Sequence, residues 1–145
     1  MADALYTAQA TVTGGRAEGH GETSDGKLDV HLRTPTEMGG DGAGTNPEQL
    51  FAVGFAACFE GALGVVGRRE RVDLGDVSID SRVSLLKTEN RGFTIGVSLN
   101  VTLPDVEDAD TATRIVAAAH QVCPYSNATR GNIDVELTAN GQPVH

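Results

Sequence analysis

The sequence predicts an α+β fold with mostly antiparallel sheet, and three observations support this prediction. Several segments alternate apolar and polar residues, as half-buried strands do. Turn sequences such as Asn90-Arg91-Gly92 separate neighbouring segments of this kind, which indicates hairpins. Two further segments have helical periodicity, and the order strands, helix, strands, helix, strand is typical of α+β proteins. The 145 residues contain no repeat or linker, so we expect a single domain over residues 1–145.

Period-two alternation predicts five strands. The clearest covers residues 93–103, where the alternation runs without a break from Phe93 to Leu103. Residues 16–23 are interpreted as a loop or hairpin link, and the glycine-rich residues 34–45 as a loop. The other predicted strands cover residues 5–12, 27–32, 77–86 and 133–137.

The longest predicted element is an apolar helix over residues 46–66. Asn46 is a favourable N-cap, Pro47 suits the first helical position, and Gln49 has the spacing of a capping box. Apolar residues occupy nearly every face and only Glu60 interrupts them, which predicts a buried central helix.

A second, shorter helix is predicted over residues 110–122. Asp110 is expected to be its N-cap, and Pro124 cannot continue it. Its apolar residues recur at helical spacing, which predicts one face against the core.

The acidic composition narrows the classes of partner. The formal net charge is −9 at pH 7, which disfavours binding to nucleic acids or to anionic membranes. The first residues contain no basic region or apolar run, so we expect no signal peptide, and we expect no segment apolar enough to span a bilayer. These expectations favour a cytoplasmic location. In that compartment the two cysteines are better interpreted as a redox or metal pair than as a structural disulfide.

Cys58 and Cys123 are the candidate reactive groups. Cys58 lies mid-way along the apolar helix, where burial raises a thiol pKa, and Cys123 ends the second helix, where the helix dipole disfavours a thiolate. A reactive Cys58 therefore needs a cation beside it. Arg16, which follows a pair of glycines, and Arg130 are the candidates. Each could instead be a solvated arginine on a turn, and a buried cysteine could be an inert small hydrophobe.

A metal site and a hydrolase site are less well supported. His120 and Cys123 have H-x-x-C spacing, and Cys58, His20 or His31 could join them, but no common zinc signature results. The sequence also lacks the G-x-S-x-G motif of serine hydrolases. We therefore expect no bound metal and no bound cofactor.

The chain contains five distinctive segments: T-V-T-G-G-R (11–16), S-D-G-K-L-D-V (24–30), G-T-N-P-E-Q-L-F (44–51), A-A-C-F (56–59) and V-C-P-Y-S-N-A-T-R-G-N (122–132). Together they resemble the organic hydroperoxide resistance proteins of the Ohr/OsmC family, and the last segment resembles the Ohr branch in particular. The resemblance spans almost the whole chain. It implies an OsmC-like fold in which sheets pack on two helices, in an intertwined homodimer with a buried central helix.

The resemblance also implies an activity, that of a thiol-dependent peroxidase acting on alkyl or fatty-acid hydroperoxides in response to oxidative stress. Cys58 would be the peroxidatic cysteine and Cys123 the resolving one, with Arg16 and Glu48 as the assisting pair. Cys58 would form a sulfenic acid and then a disulfide with Cys123. The implied reductant is external, a dihydrolipoyl group on dihydrolipoamide or on a lipoylated protein.

Three phenylalanines follow one another at helical spacing on the central helix: Phe51, Phe55 and Phe59. We expect this stripe to bind the alkyl or acyl chain of the substrate and so to favour organic peroxides over hydrogen peroxide. Two other interpretations remain open. The chain could be a redox-sensing dithiol protein without turnover, or it could bind apolar ligands of the OsmC type without any peroxide chemistry.

Glu48 and Cys58 raise a question of geometry, because they lie roughly 15 Å apart along the axis of one helix. An arginine could not easily serve both within one chain. Two copies of the helix packed antiparallel, crossing near Val53, would bring Glu48 of one copy near Cys58 of the other. The small residues around Val53 would allow this close approach. We therefore expect composite sites in a homodimer.

Overall fold

The computed structural model describes residues 2–145. Contacts group the chain into two compact units, one ending at Leu50 and the other beginning at Phe51. The helices are α1 (Pro47–Glu70), α2 (Ala109–Val122) and α3 (Pro124–Thr129), and the strands are β1 (Ala10–Thr13), β2 (Glu18–Thr23), β3 (Asp29–Arg33), β4 (Ser78–Lys87), β5 (Phe93–Thr102), β6 (Val135–Ala139) and β7 (Gln142–Val144). This composition confirms the α+β prediction, whereas the expectation of one domain stays a prediction.

The first unit contains a three-stranded antiparallel sheet in the order β1-β2-β3. The β1–β2 connection needs glycine, because Gly14 has a φ of +76° and a Cβ there would lie 2.5 Å from the carbonyl oxygen of Glu18. The predicted strand over residues 5–12 is wrong in extent, since β1 begins only at Ala10. The interpretation of residues 16–23 as a loop or hairpin link is wrong for Glu18–Thr23, which form β2. The predicted loop over residues 34–45 includes a short 3₁₀ helix, Thr36–Met38.

The second unit contains a four-stranded sheet in the order β4-β5-β6-β7. The β4–β5 and β6–β7 pairs are antiparallel, but β6 runs parallel to β5, with Leu99 opposite Leu137. The predicted hairpin of residues 77–86 and 93–103 is confirmed to within a residue at each end. The last predicted strand, residues 133–137, lies two residues too early, and β7 was not predicted.

Both long helices begin at side-chain caps. Asn46 Oδ1 accepts the backbone N–H of Gln49 at 2.9 Å, so Asn46 is confirmed as the cap of α1, although the Gln49 side chain accepts a hydrogen bond from Thr45 instead of closing the capping box. The cap of α2 is Asp108, which accepts from the backbone of Thr111, so the prediction of Asp110 is wrong by two residues.

The core of the second unit lies between α1, α2 and the sheet. Phe55, Phe59 and Leu63 of α1 are fully buried there with Leu99 and Ile115. The expectation that no segment could span a bilayer is wrong by length and composition, since α1 is long and apolar enough to do so. Core helices of soluble proteins can be equally long and apolar, and the burial of these α1 side chains favours the interpretation of α1 as a core helix.

A candidate thiol site and an arginine–glutamate ion pair

Cys58 and Cys123 come from different elements of the second unit. Cys58 is a half-buried residue of α1, whereas Cys123 is completely buried at the junction of α2 and α3. Cys123 is both the C-cap of α2 and the N-cap of α3, and its backbone N–H donates to the carbonyl oxygen of Ala119 at 2.9 Å. Pro124 ends α2 because it cannot continue the helix, and it suits the first position of the next one.

The surroundings of Cys58 act on its thiol in opposite directions. Burial raises the pKa of Cys58, and the backbone N–H of Tyr125 opposes this by donating to the sulfur. The neighbouring Cys123 side chain raises the pKa of Cys58 further, both by its charge and as a hydrogen-bond partner. The structure therefore brings together the two cysteines that the sequence singled out. The pKa of the Cys58 thiol is therefore above its ordinary value, and a cation would have to lower this pKa for thiolate chemistry.

An aromatic cluster lies beside Cys58 on α1. The Tyr125 ring stands 5.6 Å from the rings of both Phe51 and Phe55, measured between centroids. Gly54 leaves room for it, since a Cβ there would lie 3.0 Å from the Tyr125 hydroxyl oxygen. Tyr125 was not among the site residues predicted from the sequence. One feature of the sequence could have indicated Tyr125: it directly follows Cys123 and Pro124, where α2 ends and the chain turns back towards α1.

The three predicted substrate-binding phenylalanines differ in access. Phe51 is half-buried, whereas Phe55 and Phe59 are fully buried in the core. Contact with a substrate stays a prediction for all three, and it is most direct for Phe51.

Arg16 and Glu48 form a two-pronged ion pair within the first unit. Arg16 Nη1 donates to Glu48 Oε1 at 2.8 Å, and Nη2 donates to Oε2 at 3.1 Å. The Glu48 side chain is 16% exposed and that of Arg16 is 38% exposed. The hydrogen bonds to Glu48 raise the pKa of Arg16 further above its already high ordinary value. An arginine guanidinium is charged in proteins in any case.

Arg130, the other candidate cation, has a structural contact of its own. Its guanidinium donates to the backbone carbonyl oxygen of His120, in the last turn of α2. A cation suits this position because the carbonyl groups there have no partner within the helix.

Comparison with known proteins places the chain in a family. The sequence profile of OsmC-like proteins matches residues 39–138. An organic hydroperoxide resistance protein of Xanthomonas axonopodis pv. citri is 56% identical, over 92% of this chain and 94% of the relative. The chain belongs to the organic hydroperoxide resistance proteins of the OsmC-like family. The resemblance noted in the sequence is thereby confirmed.

Solved structures of the same family share the fold. An organic hydroperoxide resistance protein from Legionella pneumophila has a TM-score of 0.88 and 51% identity, over 93% of this chain and 97% of that one. The crystal structure of OhrB from Bacillus subtilis has a TM-score of 0.84 and 50% identity, over 92% and 98% of the two chains. The predicted OsmC-like fold is therefore confirmed for this member of the family. The roles of Cys58, Cys123, Arg16 and Glu48 stay predictions.

Proposed function

We propose that this protein is a peroxidase that uses its two cysteines to reduce organic hydroperoxides, alkyl or fatty-acid, to alcohols during oxidative stress. The observation that carries the proposal is the placement of a half-buried Cys58 next to a fully buried Cys123. A dithiol cycle needs one thiol that substrate can reach and a second within bonding reach of it. The names of the close relatives support the choice of organic hydroperoxides.

The proposed cycle begins at Cys58. Its thiolate attacks the outer oxygen of the hydroperoxide, the O–O bond breaks, and the alkoxide leaves with a proton as an alcohol. Cys58 is then a sulfenic acid. The thiol of Cys123 displaces water from it and forms the Cys58–Cys123 disulfide. An external dithiol restores both thiols by exchange and is itself oxidised to a disulfide.

Arg16 is proposed as the cation that stabilises the Cys58 thiolate and the charge developing on the peroxide oxygens. Burial raises the pKa of Cys58, so the cycle requires such a group. Glu48 is proposed as a positioning residue, because its carboxylate engages both ends of the Arg16 guanidinium. This two-pronged contact restricts the orientation of the arginine.

The hydrophobic part of the substrate is proposed to lie along the α1 stripe of Phe51, Phe55 and Phe59, with Phe51 in direct contact and the buried Phe55 and Phe59 behind it. Tyr125 joins this proposal, since its ring contacts two of these rings and is 37% exposed. An apolar wall beside the thiol favours a hydroperoxide with an alkyl or acyl chain over hydrogen peroxide.

A homodimer is proposed because one face of α1 lacks a cover in the single chain. Val53 is 72% exposed, and a groove of about 410 Å³ runs between this face and β4. Small residues dominate the α1 side of the groove: Ala52, Ala56 and Ala57. A second copy of α1 could approach closely along them and bury Val53. Each composite site would then take Cys58 from one copy and Glu48 from the other.

Mixed dimers test the composite sites. Cys58→Ser alone should be inactive and Glu48→Ala alone weakly active. If sites are composite, a dimer formed from one copy of each variant regains one intact site, and its activity exceeds that of both parents. Native mass spectrometry confirms that mixed dimers have formed. If they have formed and no activity is gained, Glu48 serves its own subunit or only complements the N-terminus of its helix.

The reductant is proposed to be a dihydrolipoyl group, on dihydrolipoamide or on a lipoylated protein, and the location to be cytoplasmic. No prosthetic group takes part in the proposed cycle. The acidic net charge of −9 does not favour nucleic acids or anionic membranes as partners.

Peroxide consumption tests the proposed function directly. Wild type should consume an organic hydroperoxide faster with dihydrolipoamide than with a monothiol, and Cys58→Ser should consume none. Cys123→Ser should complete one oxidation and hold a sulfenic acid on Cys58 that a dimedone label traps for mass spectrometry. Rapid peroxide loss in Cys58→Ser, with the label on Cys123, would reverse the assignment. If both variants keep the wild-type rate of turnover, the proposed cycle through Cys58 and Cys123 is refuted.

A further inference from the structure

One face of the β1-β2-β3 sheet carries an arrangement that the thiol chemistry does not use. His20 of β2 is directly opposite His31 of β3, and Glu22 is directly opposite Asp29. Directly opposite residues on antiparallel strands point to the same face, and so do alternate residues along one strand. The sheet register therefore places His20, His31 and the carboxylates of Glu18, Glu22 and Asp29 on one face of the first unit.

Three of these side chains converge closely. His20 Nε2 lies 2.6 Å from Asp29 Oδ1, and one ligand atom from each of His20, Glu22 and Asp29 lies within 4.8 Å of the others. The ring of His31 is tilted against that of His20, with 5.5 Å between their centroids. These three ligand atoms are close enough for a single small cation to contact them all.

The charges around the cluster favour a cation. Two carboxylates directly opposite one another on paired strands repel, and the chain as a whole has a net charge of −9. Over residues 2–145, the only ion pair formed by Glu22 or Asp29 is the one between His20 and Asp29. Arg33 is on the same face, but its guanidinium donates to the backbone oxygens of Gly19 and Leu32.

The donor set selects the kind of cation. Ca²⁺ and Mg²⁺ take oxygen ligands, whereas an imidazole with carboxylates suits Zn²⁺, Co²⁺ or Ni²⁺. We propose that His20, Glu22 and Asp29 form a binding site for a divalent transition-metal cation, which ties β2 to β3 and is separate from the cysteine pair. Water would complete the coordination, because the side chains of His20 and Asp29 are 40% and 54% exposed.

Calorimetry with Zn²⁺ on the untagged full chain tests the site. Wild type should bind one equivalent. Changes even to the outer partners of metal ligands cost about 10- to 100-fold in affinity, so His20→Gln and Asp29→Asn should each bind Zn²⁺ at least about tenfold more weakly. Glu18→Gln is the matched control, since it removes a carboxylate from the same face of β2, and it should bind as wild type does.

Co²⁺ separates this site from the thiols. Wild type with Co²⁺ should show d–d absorption without a thiolate-to-cobalt charge-transfer band, and His20→Gln should lose that absorption. A charge-transfer band at the first equivalent would place the metal on Cys58 or Cys123 and overturn the proposal. Equal affinity for Ca²⁺, equal weakening in Glu18→Gln, or no saturable Zn²⁺ binding would also overturn it.

Discussion

Glu48→Gln isolates what the carboxylate contributes to Arg16. The native carboxylate accepts two hydrogen bonds from the guanidinium, at 2.8 and 3.1 Å. Glutamine keeps the shape of the side chain but offers one oxygen, and it places an amide NH₂ group opposite the other guanidinium N–H. The charge attraction and one of the two hydrogen bonds are lost, while the arginine itself remains.

Loss of the Arg16–Glu48 pair should change the stability of the protein little and the rate of Cys58 oxidation much more. The pair is partly exposed, so its loss should lower the free energy of unfolding by only about 0.2–1 kcal/mol. Removal of the cation itself, in Arg16→Ala, should slow Cys58 oxidation by about 10²- to 10³-fold, the usual effect of losing one electrostatic stabiliser. A misplaced cation should cost less, about 10- to 100-fold, which corresponds to about 1.4–2.7 kcal/mol of barrier.

Stopped-flow oxidation of the reduced protein by an organic hydroperoxide measures this step without the reductant. Glu70→Gln is the matched control, because Glu70 lies on the same helix and also pairs with an arginine, Arg114. It should oxidise at the wild-type rate. Thermal unfolding of both variants checks that the fold is retained.

A double variant decides whether Glu48 acts through Arg16. If it does, Arg16→Ala with Glu48→Gln should be no slower than Arg16→Ala alone, because nothing remains to be positioned. Multiplicative losses would show that Glu48 acts on the thiol or the peroxide independently. A wild-type rate in Glu48→Gln would refute the positioning role altogether.

Three other outcomes are expected. Only the thiolate attacks, so the oxidation rate should rise with pH, reach its midpoint at the Cys58 pKa and then level off. Arg16→Ala should move the midpoint of this pH profile to higher pH. An unmoved midpoint would exclude Arg16 as the activating cation. Phe51→Ala should raise KM for a long-chain hydroperoxide more than for hydrogen peroxide in steady-state assays, and equal losses would indicate a packing role. Asn140→Ala should lower the free energy of unfolding in urea by roughly 2–4 kcal/mol, since this side chain makes three hydrogen bonds with Leu103 and Val106. Asn140 has a φ of 49°, which glycine adopts without strain, so Asn140→Gly should lose only the free energy of the hydrogen bonds. Equal losses in Asn140→Ala and Asn140→Gly would exclude a backbone contribution.

Local signals in the sequence were sufficient for the elements that bury one face or begin at a clear cap. The alternation from Phe93 predicted β5, and the Asn46-Pro47 start predicted α1, because periodicity and capping depend only on neighbours along the chain. The cysteine pair was equally visible, since a chain with two cysteines offers one possible pairing.

For some elements the local sequence predicted a different structure from the one that forms. Polar residues and glycines alternate along β2, so its sequence has the composition of a loop and its pairing with β1 and β3 decides the outcome. Pro124 indicated only the end of α2, although it also begins α3. The parallel pairing of β6 with β5 depends on how the intervening helices return the chain to the sheet, which no local pattern records.

The side-chain groupings depended most on the tertiary structure. Motif resemblance suggested Arg16 with Glu48, but their two-pronged contact joins residues far apart in the chain. Tyr125 meets the α1 rings for the same reason, and His20 meets Asp29 only through the β2–β3 register. Composition and periodicity thus determined which residues could react and where the regular elements lie. Which side chains meet was decided by the long-range packing of those elements, because contact depends on distance in space and not on separation along the chain.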